Sequence, residues 1–116
     1  MARSTEQVFE DHKNAILTGD LPKLMADYAD DSVLMTTGGT FIGQEAIQGF
    51  FQNIFATNPN VKVHFGKQVV EDDLLLLEWS AVSDVATFDS GVDTFLIRDD
   101  KIRRQTMWFV MAPKVA

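Results

Sequence analysis

Apolar residues recur at helical spacing in the first half of the chain and at strand spacing in the second. Val8, Phe9, His12, Ala15 and Ile16 share one face, which predicts a helix from about Thr5 to Thr18. Ser4 with Gln7 supplies a capping box at its start, and Gly19 is placed to close it. His12 is therefore expected to point inward with the apolar set. Asp20 caps a second, shorter helix, whose first turn tolerates Pro22 because the amide there needs no partner. Leu21, Leu24, Met25 and Tyr28 form its expected stripe, and Ala29-Asp30-Asp31 ends it. Ser32 to Thr37 reads as a strand, Gly38-Gly39 as a turn and Thr40-Phe41-Ile42 as a short return strand. Gly43 opens a third helix, in which Ile47, Phe50, Phe51, Ile54 and Phe55 repeat at i, i+3, i+4, i+7 and i+8. Thr57-Asn58-Pro59-Asn60 stops it.

From Val61 onward the period changes to two. Val61, Val63 and Phe65 alternate with Lys62 and His64, which places His64 on a solvated face. Glu71-Asp72-Asp73 is a turn, Leu74 to Val82 a long strand, and Asp84 to Gly91 a loop or short crossover. Val92 to Ile97 and Ile102 to Val110 then form a β-hairpin across the acidic turn Asp99-Asp100, and Pro113 ends the last strand. Helices first and a meander last predict one α+β domain over residues 1–116, with helices packed on one face of a curved sheet. A concavity so enclosed is a usual ligand site.

Composition narrows the partners. The chain has 116 residues, 46% hydrophobic and 23% charged, which suits one soluble domain with a single core. Its 17 acidic against 10 basic residues, net −7, argue against a nucleic-acid or anionic-membrane partner. Cysteine is absent, so thiol catalysis and thiolate metal sites are excluded. No His/Asp/Glu cluster has ligand spacing, and neither a metal nor another cofactor is implied. The N-terminus lacks the apolar core of a signal peptide and no run reaches membrane-spanning length, so a cytoplasmic location is expected.

One charge stands out. Asp93 alternates with Phe95 and Ile97 in the hairpin's first strand, and a carboxylate on an apolar face is costly unless paired, protonated or used. A structural carboxylate bonded to backbone or to Arg104 is the competing account. Glu78, between Leu77 and Trp79, is a second candidate if its side of the strand faces the cavity.

Three runs carry a family resemblance: Thr18-Gly19-Asp20-Leu21 through Tyr28-Ala29-Asp30-Asp31-Ser32, Ile42-Gly43-Gln44-Glu45-Ala46-Ile47, and Val92-Asp93-Thr94-Phe95 through Arg98-Asp99-Asp100-Lys101-Ile102. In this order and spacing they resemble SnoaL-like and ketosteroid-isomerase-like members of the nuclear-transport-factor-like superfamily. The resemblance implies a cone: a strongly curved, mostly antiparallel sheet, with the three helices of the N-terminal half closing an apolar pocket. Such folds serve as isomerases, dehydratases, cyclases and epoxide hydrolases, and also as non-catalytic binding or assembly domains, so fold alone does not set function. Asp93 matches the position of the protonated Asp in the isomerase oxyanion hole. His12, seven residues before Gly19, falls where that enzyme has its Tyr. Thr36 falls where it has the Asp base. With the base replaced, steroid isomerisation by that mechanism is not implied.

The expected site therefore combines His12, Asp93 and Tyr28, with Glu78 as a candidate base, as acid–base groups. Thr36, Phe50, Phe51, Phe95, Met107 and Phe109 are its expected ligand-binding wall. His12 and Asp93 are expected within hydrogen-bond reach, about 3 Å, or one water apart. The resemblance favours the Gln105, Met107, Phe109 side of the last strand as the pocket side. Trp108 and Val110 would then face outward, as a homodimer surface on the sheet's outer face. Two functions remain open: a cofactor-independent isomerase, dehydratase or cyclase acting on a small apolar molecule with a carbonyl or hydroxyl, and a non-catalytic ligand-binding or assembly domain.

Overall fold

A computed structural model describes residues 2–114. Helix α1 (Thr5–Thr18) is capped as its sequence requires: the Ser4 hydroxyl accepts from the Gln7 amide, the Gln7 side chain accepts from the Ser4 amide, and Gly19 leaves the helix in the left-handed region at φ 65°. Val8, Phe9, His12 and Ala15 are its buried face. Helix α2 (Leu21–Met25) is shorter than its apolar stripe suggests. Five residues give little helical cooperativity, and the backbone is claimed elsewhere. The Ile102 amide donates to the Asp27 carbonyl at 2.7 Å, and Tyr28 opens strand β1 (Tyr28–Thr36) opposite Ile102.

Strand β2 (Gly39–Ile42) returns against β1, and α3 (Gln44–Thr57) follows. Strands β3 (Lys62–Glu71), β4 (Leu74–Val82), β5 (Ala86–Arg98) and β6 (Lys101–Pro113) complete the chain. The expected loop before Gly91 is mostly strand. The Ser83 hydroxyl accepts from the amides of Val85 and Ala86, which makes the turn tight, and a register shift between Phe88 and Ser90 absorbs the polar Asp89-Ser90 step. The β5–β6 turn is Asp99-Asp100, with φ of 52° and 68°. Aspartate tolerates the left-handed region better than most residues, and the Arg3 side chain holds Asp100 from outside.

The six strands form one sheet in the order β2-β1-β6-β5-β4-β3, with β1–β6 parallel and the other four pairings antiparallel. This corrects the expected cone. β2 and β3 are free edges at opposite ends of the row, so no ladder closes the sheet or curls it strongly. The enclosure comes instead from helices laid on one face: α1 touches β3 and β5, while α3 touches β1 and β2. Between helices and sheet lies the main core, with Phe9, Leu24, Leu34, Ile47, Leu75 and Ile102 all fully buried.

Leu75→Ala removes a fully buried side chain from β4. It should cost about 2–5 kcal/mol in urea denaturation, with an unchanged m-value.

Candidate functional site

Strand alternation carries one row of side chains from each of β4, β5 and β6 to the helix side. The pairs Leu77–Asp93 and Asp93–Met107, Leu75–Phe95 and Phe95–Gln105, and Trp79–Gly91 and Gly91–Phe109 lie opposite one another. Across them stand His12 and Ile16 of α1 and Phe50, Phe51, Ile54 and Phe55 of α3. The space between is a cleft of about 690 Å³, its open mouth included. Its wall is almost wholly aromatic and aliphatic, with His12, Asp93, Gln105 and the Trp79 indole as the polar groups.

Asp93 is buried and fully engaged by neutral donors. The Trp79 indole N–H donates to Oδ1 at 2.8 Å, and the Gln105 amide donates to Oδ2 at 3.0 Å. Gln105 is itself held, its Oε1 accepting from the Tyr28 hydroxyl at 2.5 Å. Burial raises the Asp93 carboxyl from its ordinary 3.8 to about 7, against the opposing pull of the two donors. Tyr28 is raised well above its ordinary value, chiefly by burial and then by the charges of Asp93 and Asp27. Arg104 is exposed on the other face and takes no part.

His12 sits in an aromatic cage of Phe9, Tyr28, Phe51 and Phe95. Burial lowers its pKa to about 3, so the ring is neutral. It makes no hydrogen bond to Asp93. Its Nδ1 instead faces Oδ2 of Asp27, 3.9 Å away. Asp27 is buried too, and its other oxygen, Oδ1, accepts from Arg3 at 2.9 Å. Burial raises the Asp27 carboxyl above its ordinary value, and Arg3 opposes that shift without reversing it.

The expected residues thus divide. His12, Asp93, Phe50, Phe51, Phe95, Met107 and Phe109 line the cleft. Tyr28 lies behind Gln105 rather than on the wall. Thr36 is at the far end of β1, where its hydroxyl accepts from the Gly38 amide in the β1–β2 turn. Glu78 is exposed, because its strand turns Leu77 and Trp79 inward and Glu78 outward opposite Val92. Trp79, Gln105 and Asp27 were not among the expected site residues. Alternation set Trp79 on the same side as Leu77 without deciding which side faces the cavity, and only the resemblance put Gln105 on the pocket side; no pattern marked Asp27.

The SnoaL-like domain family matches the chain over residues 9–105, and the chain belongs to that family. No curated protein matches its sequence. Among solved structures, a protein from Kribbella flavida provisionally named a ketosteroid isomerase superposes with a TM-score of 0.81 at 12% identity, covering 97% of this chain and 82% of its own. An NTF-2-like protein of unknown function from Burkholderia xenovorans gives 0.77 at 19% identity, covering 97% and 86%. An LEH-like epoxide hydrolase from M. tuberculosis gives 0.75 at 16% identity, covering 91% and 82%. At such identities the likeness is one of fold.

Two outcomes follow from the Asp93 contacts. A Cβ on Gly91 would fall 2.1 Å from the Trp79 ring. Gly91→Ala must therefore displace the indole, and losing that donor should raise the Asp93 pKa further, as read by carboxyl NMR titration. The second concerns stability. Because the folded pKa of Asp93 lies above 3.8, its contribution is most favourable below that pH and is lost as pH rises toward 7. Between pH 4 and 8, urea denaturation should show wild type losing up to about 4 kcal/mol relative to Asp93→Asn.

Proposed function

We propose that the cleft binds a small apolar molecule carrying a carbonyl or hydroxyl oxygen, and that the protein acts on it by acid–base chemistry without a cofactor, as an isomerase, dehydratase or cyclase. The observation that carries this reading is Asp93: a carboxyl with a pKa of about 7, set in an apolar wall. Such a group is a hydrogen-bond donor when protonated and a base when ionised, and near neutral pH both forms are populated. Trp79 and Gln105 hold its two oxygens from the side, while Tyr28 holds Gln105. Neutral His12 is the second group, able to accept a hydrogen bond. Phe50, Phe51, Phe95, Met107 and Phe109 would grip the apolar body of the ligand. The names borne by two structural neighbours, an isomerase and an epoxide hydrolase, fit acid–base work in such a cleft.

The test is an NMR titration with small aromatic ketones and phenols, followed by product analysis for any that bind. Binding should perturb the Met107 methyl and the rings of Phe50 and Phe51. Where turnover follows, Asp93→Asn and His12→Gln should each lower it by roughly 10²–10⁴-fold. Binding with no turnover across the panel would favour the non-catalytic ligand-binding reading.

The outer face of the sheet supports the expected homodimer. Trp108 is 64% exposed, Val110 58% and Met35 51%, with Val92 beside Trp108 in register. An apolar stripe of this kind is unusual on a free monomer. Sedimentation equilibrium at micromolar concentration should give twice the chain mass, and Trp108→Glu should return it to one.

A further inference from the structure

Among the described residues, two buried side-chain atoms find no hydrogen-bond partner, and they face each other. They are Nδ1 of His12 and Oδ2 of Asp27, 3.9 Å apart, on side chains only 4% and 2% exposed. A buried donor or acceptor without a partner is costly. The surroundings offer neither of them another choice. His12 is ringed by Phe9, Phe51, Phe95 and Tyr28, and the Tyr28 hydroxyl is spent on Gln105. Asp27 is fixed at its backbone by the Ile102 amide and at Oδ1 by Arg3, which also bridges Asp11 and Asp100.

We propose that Asp27 is the positioning residue for His12: its Oδ2 accepts a hydrogen bond from Nδ1–H, which fixes the tautomer and leaves Nε2 as the bare acceptor for a ligand in the cleft. This deepens the reading of the cleft as an acid–base site and rests on it only for the ligand. The arrangement of His12 and Asp27 is a property of the free protein. Three elements must meet for it: α1 brings His12, the α2–β1 junction brings Asp27, and the N-terminal segment brings Arg3. Burial raises the Asp27 carboxyl above its ordinary value; the Arg3 guanidinium, 2.9 Å from Oδ1, opposes this and favours the carboxylate form, which can only accept. Were Asp27 protonated at Oδ2, it would donate to Nδ1 and the opposite tautomer would result. A ring nitrogen's role is set in this way by the bond the other nitrogen makes.

The tautomer can be read directly. The chain has two histidines, His12 and His64, so long-range ¹H–¹⁵N correlation spectra at pH 7 resolve each ring. Wild-type His12 should be neutral, protonated at Nδ1 and bare at Nε2. In Asp27→Asn the carbonyl oxygen keeps Arg3 and the new N–H group meets Nδ1, so the ring should switch to the Nε2–H form, with the two ¹⁵N shifts exchanged. His64 should not change. A wild-type ring protonated at Nε2, or at both nitrogens, overturns the proposal, as does a variant that keeps Nδ1–H. The wild-type spectrum decides by itself if Asp27→Asn does not fold. Because no ligand is present, the result stands apart from whether the cleft is catalytic. If the cleft does turn over a ligand, Asp27→Asn should lower kcat more than it raises KM.

Discussion

The burial of one carboxyl group organises the site. Asp93 sits on the inner row of β5, almost wholly withdrawn from water, and the fold supplies an indole N–H and an amide N–H in its place. Those donors impose conditions outward. Trp79 can lie along the sheet toward Asp93 only because Gly91, opposite it in register, has no side chain. Gln105 turns its amide N–H to Asp93 while its oxygen accepts from the buried Tyr28 hydroxyl, which holds the amide in that orientation. Three strands are thereby locked in one register by polar contacts as well as by their ladders.

Neutral donors matter as much as their number. An arginine or lysine beside Asp93 would hold the carboxylate ionised far below neutrality, and the group would be a fixed anion. Indole and amide stabilise the charge without matching it, so burial still prevails. His12 is the converse case, an imidazole kept uncharged by an aromatic cage. The charged partners of the site, Arg3 with Asp11, Asp27 and Asp100, are kept behind the wall, where they shape the cleft without entering it.

Much of this could be read from residue patterns. The capping box at Ser4, the i, i+3, i+4 stripe of α3 and the alternation of Leu74 to Val82 each reflect a local rule, and local rules survive folding. The register of β6 was open to the residues alone; the resemblance to known folds supplied it. Where reading fell short, a tertiary contact had overruled a local preference. Tyr28 fits the stripe of a helix, yet β6 captures the backbone beside it. Glu78 and Thr36 are chemically suited to a site, but strand parity turns one outward and a turn claims the other. The shape of the sheet was beyond sequence, since closure depends on which strand edges meet. Asp27 was invisible for a similar reason: its meaning comes from His12, fifteen positions earlier, and from Arg3 near the chain's start.

The strand order has a consequence for how the chain is made. β6, last in sequence, lies between β1 and β5 in space. Until it emerges, the sheet exists as two unconnected pieces, the β1–β2 ribbon and the β3–β4–β5 meander, each with an open edge. β6 must therefore be made before the sheet can become whole, and until then the β1 and β5 edges that it joins stay unpaired. Nascent chains of this kind are natural clients for holding factors, and the slow step of refolding is expected to be the insertion of β6 between β1 and β5.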